Sequence, residues 1–153
     1  MPLRIIAAIL LLVCSFSSIS GASALSLNES RELLDRGKSY FFTDPMRPDS
    51  AAICFRQVAD SYSPEMSREQ KEICGTAANN LGYTCYQYLR DYKAAYQALT
   101  LARDICDDTG RPLTSANVCM NFGNLYAIFA EQSDAPEFEQ EAFEMYRRAF
   151  NIA

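Results

Sequence analysis

The sequence predicts an all-helical fold, a solenoid of helix-turn-helix repeats that follows a signal peptide. Apolar and small residues recur at intervals of three and four along most of the chain. Short segments rich in Pro, Gly, Ser and Asp interrupt this pattern. An Asn, a large apolar residue and a Gly occur together at 80–82 and again at 121–123. We therefore expect about three hairpins, over residues 26–62, 66–109 and 112–153.

The first 24 residues have the pattern of a secretory signal peptide. Arg4 precedes an almost continuous apolar run over residues 5–16, and Ala22–Ala24 forms a small-x-small cleavage site. The run is short for a bilayer span, although an uncleaved anchor and lipidation at Cys14 stay open as alternatives. We expect an exported protein, periplasmic or extracellular, whose helical domain covers residues 25–153.

Composition argues against several classes of function. The net charge is −5, and it becomes −6 once the signal peptide is removed because Arg4 is the only charged residue in it. No basic face is visible, so nucleic acid is not an expected partner. The sequence contains no His, which excludes His-based acid-base catalysis, Ser-His-Asp triads and His metal ligands. We expect no cofactor.

Five cysteines lie beyond residue 24, an odd number, and no two of them have CxxC spacing. Each lies within a predicted helix, which favours a role as a small core residue. A disulfide, with Cys54–Cys74 or Cys85–Cys106 as candidates, and a zinc site stay open as alternatives, since connectivity cannot be deduced from spacing. The five residues are Cys54, Cys74, Cys85, Cys106 and Cys119.

Helix start and stop signals delimit the first hairpin. Ser26 and Glu29 form a capping box, so a helix begins there and continues to about Phe42, where two prolines follow. Asp49 is the predicted N-cap of the second helix, and Pro64 closes the hairpin.

The next two hairpins follow the same plan. Ser67 and Gln70 form another capping box, Asp91 caps the following helix, and Gly110 ends it. Pro112 begins the third hairpin, whose second helix has a Pro near its first position. Small residues recur at matching places in the two hairpins: Gly82, Ala95 and Ala102, then Gly123, Ala142 and Ala149.

These small residues, with the Asn-Leu-Gly and Asn-Phe-Gly segments, resemble the tetratricopeptide repeat (TPR) family. The spacing of 41 between Gly82 and Gly123 exceeds the family's repeat of about 34 residues, and Trp is absent. In the first hairpin, Arg36 precedes Gly37 at the position where the resemblance implies a Leu. Either Ala51 or Ala52 is the counterpart of Ala95 and Ala142. A helical repeat of another type is the structural alternative.

The resemblance implies a non-enzymatic scaffold that binds a protein or peptide, of unknown identity, in a concave groove lined by the first helix of each hairpin. Tyr and Asn side chains there would stack on a bound peptide and hydrogen-bond to it. The alternative, which stays open, is that half of these groove tyrosines pack between adjacent hairpins and do not bind a peptide. The implied groove residues are Lys38, Phe41, Asn79, Tyr83, Tyr86, Gln87, Asn117, Met120, Asn124 and Ala127.

Other functions were weighed from the last helix. Its apolar residues, among them Tyr146 and Phe150, leave one face open. This favours either self-association into a homo-oligomer or an N-terminal sensor segment of a longer, membrane-bound bacterial regulator, attached through a further C-terminal segment or an uncleaved N-terminus. Four glutamates, Glu137, Glu139, Glu141 and Glu144, would suit a carboxylate enzyme, but their place at a helix start is explained by the helix dipole.

Overall fold

A computed structural model describes residues 25–110, 112–133 and 135–152, and this part of the chain is helical without any strand. The predicted signal peptide, residues 1–24, lies outside it. Among the described helices none is long and apolar enough to cross a membrane. The α-helices are α1 (Leu27–Ser39), α2 (Pro48–Asp60), α3 (Arg68–Thr84), α4 (Tyr92–Thr109), α5 (Pro112–Ser133) and α6 (Pro136–Ile152).

Both predicted capping boxes are confirmed. The Ser26 hydroxyl accepts a hydrogen bond from the Glu29 backbone N–H at 3.3 Å, and the Glu29 carboxylate accepts one from the Ser26 N–H at 2.8 Å. Ser67 and Gln70 make the same reciprocal pair at the start of α3. These bonds satisfy backbone N–H groups that have no partner within the helix.

The predicted N-cap of α2 is wrong by two residues. The helix begins at Pro48, with Arg47 in the cap position and no side-chain cap bond, so Asp49 lies in the first turn instead. Proline suits the first helical position because its fixed φ is already helical and its missing N–H would have had no partner there.

The junction between α3 and α4 contains a π-helical segment, Cys85–Leu89. It ends at Arg90, which has a φ of 55°. The Asp91 carboxylate then caps α4 by accepting the Ala94 N–H at 3.0 Å, as predicted. Gly110 ends α4 with a φ of 64°, a conformation that glycine adopts without steric cost.

A glycine on the first helix of each hairpin lies against a large side chain on the second helix. A methyl group added at any of the three glycines would approach that side chain to about 2.5–2.6 Å, so only glycine permits the observed spacing. The pairs are Gly37 with Phe55, Gly82 with Leu99 and Gly123 with Tyr146. Ala51 lies four residues before Phe55, as Ala95 lies before Leu99 and Ala142 before Tyr146. Ala51, not Ala52, is therefore the counterpart of Ala95 and Ala142.

The helices pack in the order of the chain. Consecutive helices contact each other, and α3 contacts both α1 and α5. The continuous core between the hairpins includes fully buried Phe55, Leu99, Ile105 and Leu125. The first helices of the three hairpins, α1, α3 and α5, are therefore neighbours, and we call their joint solvent-facing side the first-helix face.

Candidate protein-interaction surface

A cleft of about 300 Å³ lies on the first-helix face, between α1, α3 and the beginning of α5. Its charged side chains are paired with one another or with their neighbours. Arg31 pairs with Glu69 across the two helices, and Lys38 pairs with Asp35 at 3.2 Å along α1. The cleft also contains Glu72, Leu34, Ile73, Thr76 and Thr114. The cleft is thus mostly polar, with charges of both signs beside the apolar side chains of Leu34 and Ile73.

Three aromatic side chains, Phe41, Tyr83 and Tyr88, form a contiguous group at the C-terminal ends of α1 and α3, which we call the aromatic patch. The Tyr88 ring centroid lies 5.6 Å from that of Phe41 and 5.8 Å from that of Tyr83. Tyr83 is 37% exposed and Tyr88 38% exposed. Phe41 also stacks on the buried Phe55 at 6.3 Å, which fixes the patch to the core.

The π-helical segment explains why the two tyrosines meet. Tyr88 follows Tyr83 by five residues, and five residues of an α-helix turn the side chain about 140° away from the first. A π-turn is wider and closes on the fifth residue, so it brings the later side chain back to the same side. The hydroxyl groups consequently lie 3.4 Å apart. The α-helical periodicity of the sequence does not predict that Tyr88 lies beside Tyr83, because it contains no signal for the π-helical segment.

The contact between these hydroxyls affects ionisation. The hydrogen bond with Tyr88, followed by burial and the proximity of other tyrosines, raises the pKa of Tyr83 to about 12. Tyr83 is therefore uncharged at neutral pH. The hydroxyl groups of the patch remain hydrogen-bonding groups beside apolar rings, a combination that suits protein recognition.

Tyr86, in contrast, is buried at the α3–α5 contact. It is 3% exposed, and its hydroxyl donates to Asn121 Oδ1 at 2.9 Å and accepts from Asn124 Nδ2 at 3.1 Å. Asn121 Nδ2 in turn donates to Asn79 Oδ1 at 2.9 Å, and the Tyr146 hydroxyl donates to Asn124 Oδ1 at 2.8 Å. This Tyr-Asn network links α3, α5 and α6, and burial raises the pKa of Tyr86.

The structure distributes the other predicted groove residues along the same helices. Lys38 lies at the cleft, whereas Gln87, Asn117 and Met120 are exposed on α3's π-helical extension and on α5. Ala127 lines a different groove, between α5 and α6. Binding by the ten residues of the predicted groove stays a prediction.

The cysteines and glutamates have structural surroundings. All five cysteines beyond residue 24 are free and buried, which agrees with a core role, and burial raises the pKa of each thiol. Within the described ranges, no group of three or more His, Cys, Asp or Glu could hold a metal ion. Glu137 and Glu139 lie in the first turn of α6, and Glu144 pairs with Arg147 at 2.7 Å.

No protein-family model matches this chain, and no curated protein and no solved structure matches it either.

Proposed function

We propose that this chain is a TPR-like, non-enzymatic scaffold that binds a segment of a partner protein along its first-helix face. The observation that carries the proposal is the exposed aromatic patch, which adjoins a polar cleft on the same side of α1 and α3. Aromatic residues that are held rigidly but stay accessible are favoured at protein interfaces, because they bury much surface at little entropic cost.

The dimensions of this face suit a short peptide. From Glu69 in the cleft to Tyr83 in the patch, α3 rises about 21 Å at 1.5 Å per residue. An extended peptide covers that length with roughly six residues. The expected ligand therefore has an apolar or aromatic anchor for the patch and a polar segment of about this length for the cleft.

The character of the cleft supports binding to a peptide backbone. Its ionic side chains already pair within the chain, so a partner need not supply a charge to neutralise them. Thr76 and Thr114 add hydroxyl groups that can hydrogen-bond to a peptide. Surface ion pairs contribute little to stability and can rearrange around a ligand at low cost.

Selection from a displayed peptide library tests this function. Peptides enriched on the unchanged chain are measured for affinity against Tyr83→Ala and Tyr88→Ala. Ile53→Ala is the matched control, since Ile53 is 60% exposed on α2, outside the first-helix face. We expect each Tyr variant to weaken binding at least about tenfold, as for an interface anchor, and the control to leave it unchanged. Equal affinity for all variants would reject the proposed surface.

We further propose that the chain acts after export, with residues 1–24 removed. The support is the order of basic, apolar and small residues in that segment. N-terminal sequencing of the chain recovered from its natural compartment tests this. A mature end at Leu25 supports export, whereas retention of Met1 argues for an anchored or unprocessed protein.

A further inference from the structure

Within the part of the chain that the structure describes, a following helix packs against each of the first two hairpins, whereas none packs against the outer side of the last hairpin. In α4, the residues three before and four after Leu99 are Tyr96 and Arg103. Tyr96 packs against the Phe122 ring of the next hairpin at 5.8 Å, and the Arg103 guanidinium lies 5.6 Å from the same ring. Both side chains of α4 thus contact the following helix, α5.

The corresponding positions in the first hairpin are buried. Counted in the same way from Phe55, they are Ala52 and Ala59, which are 5% and 2% exposed. In the third hairpin, counted from Tyr146, they are Phe143 and Phe150. These two phenylalanines are 60% and 84% exposed. The last hairpin therefore exposes two phenylalanines at positions where α2 has buried alanines and where Tyr96 of α4, although 43% exposed, contacts Phe122 of the next hairpin.

A groove lies beside Phe143, the first of these phenylalanines. It has a volume of about 560 Å³ and is formed between α5 and α6. Three alanines, Ala127, Ala130 and Ala142, line it, together with Phe143, Tyr146, Glu131 and Glu139. Small residues leave a depression into which a large side chain can insert. One surface thus carries both protruding rings and a depression that would accept them.

We propose that this face, which we call the α5–α6 face, binds the same face of a second copy of the chain around a two-fold axis. A two-fold interface places one patch against itself, so a patch that has both the protruding and the receiving groups is self-complementary. Phe143 and Phe150 of each copy would enter the alanine-lined groove of the other. The inference is independent of the peptide-binding function proposed above.

The polar surface of α1 argues against head-to-tail stacking in which α1 of one copy packs on the α5–α6 side of the next. The exposed side chains of α1 are all polar or charged, as expected of a capping helix in a repeat protein. They offer no apolar surface for the α5–α6 face. These α1 side chains are Asn28, Glu29, Arg31, Glu32, Asp35, Arg36, Lys38 and Ser39.

The size of the face predicts an affinity. Helix α6 is about 25 Å long at 1.5 Å per residue, and two helices packed 8–10 Å apart present a width of about 20 Å. Each copy would bury roughly 500 Å², or on the order of 1,000 Å² in total, which is near the lower limit of specific interfaces. We therefore expect dissociation in the micromolar range. Because each copy is net negative, salt should strengthen the dimer by screening repulsion.

Sedimentation equilibrium of the purified chain, with and without Phe143→Glu plus Phe150→Glu, tests the proposal. We expect a micromolar dimer that the double variant weakens by more than about 30-fold, while Ile53→Glu, another exposed apolar position, leaves it intact. Ala130→Glu provides a second test, since it fills the groove without altering either Phe. Circular dichroism checks that each variant stays helical.

Several outcomes would overturn the proposal. One is a monomer at about 100 μM, a concentration well above the expected dissociation constant. Another is a dimer that survives both the double variant and Ala130→Glu. A third is a loss of the dimer in Ile53→Glu that equals the loss in the double variant. A dimer that dissociates as salt is added would also reject it, because charge attraction would then hold the copies together.

Discussion

Removing the hydroxyl group of Tyr86 should destabilise the fold although the ring keeps its packing. In Tyr86→Phe, Asn121 Oδ1 loses a donor at 2.9 Å and Asn124 Nδ2 loses an acceptor at 3.1 Å. At about 1 kcal/mol for each net hydrogen bond, the loss is about 2 kcal/mol, and buried partners left unsatisfied would increase it. For a domain of this size the melting temperature should fall by roughly 8 °C.

Tyr83→Phe provides the matched control. It removes the same hydroxyl atom from a nearby Tyr, but Tyr83 is 37% exposed and its hydroxyl lies 3.4 Å from the hydroxyl of the similarly exposed Tyr88. We expect a change below about 0.5 kcal/mol, as for surface substitutions. The free energy of unfolding is measured by urea denaturation, followed by circular dichroism because the chain has no Trp. A difference between the variants of less than about 0.5 kcal/mol would refute the role of the buried network.

Three further predictions concern ionisation, packing and thiols. Tyr83 should titrate near pH 12, so the stability that it contributes below pH 10 is lost as the pH rises from 10 to about 12. A phenolate absorbance titration, compared with that of Tyr83→Phe, should show a Tyr titrating near pH 12. Tyr88→Phe should lower the pKa of Tyr83. Gly82→Ala should cost about 1–3 kcal/mol in urea denaturation because the new methyl group would lie 2.6 Å from Leu99; an unchanged midpoint would contradict the close approach. The five buried thiols should react with a thiol reagent only on unfolding, and rapid reaction of any one in the native state would be contrary to its burial.

Local signals in the sequence were sufficient to predict the helical fold and several helix ends. Capping boxes at Ser26 and Ser67 and the glycine at the end of α4 depend on residues within a few positions of each other, so the pattern contains the relevant chemistry. Asp49 misled the prediction because both Asp at a cap and Pro at the first helical position are good start signals, and here the proline determines the start.

The candidate site was predicted less completely, since it depends on helix geometry and on packing between hairpins. Periodicity of 3.6 assumes an α-helix throughout, which hid the π-helical segment and the position of Tyr88. The sequence places Tyr83 and Tyr86 on one helix as similar residues. Their environments differ because of the contacts between α3 and α5: Tyr83 is exposed, whereas Tyr86 lies in a buried hydrogen-bond network.

Chemical-shift mapping tests whether a peptide binds on the first-helix face. The backbone amide signals of the chain are recorded while a peptide from the library selection is added. We expect the shifted signals to cluster on α1 and α3, at the cleft and at Phe41, Tyr83 and Tyr88. Shifts confined to α2 and α4, or no saturable shift with any selected peptide, would contradict this expectation.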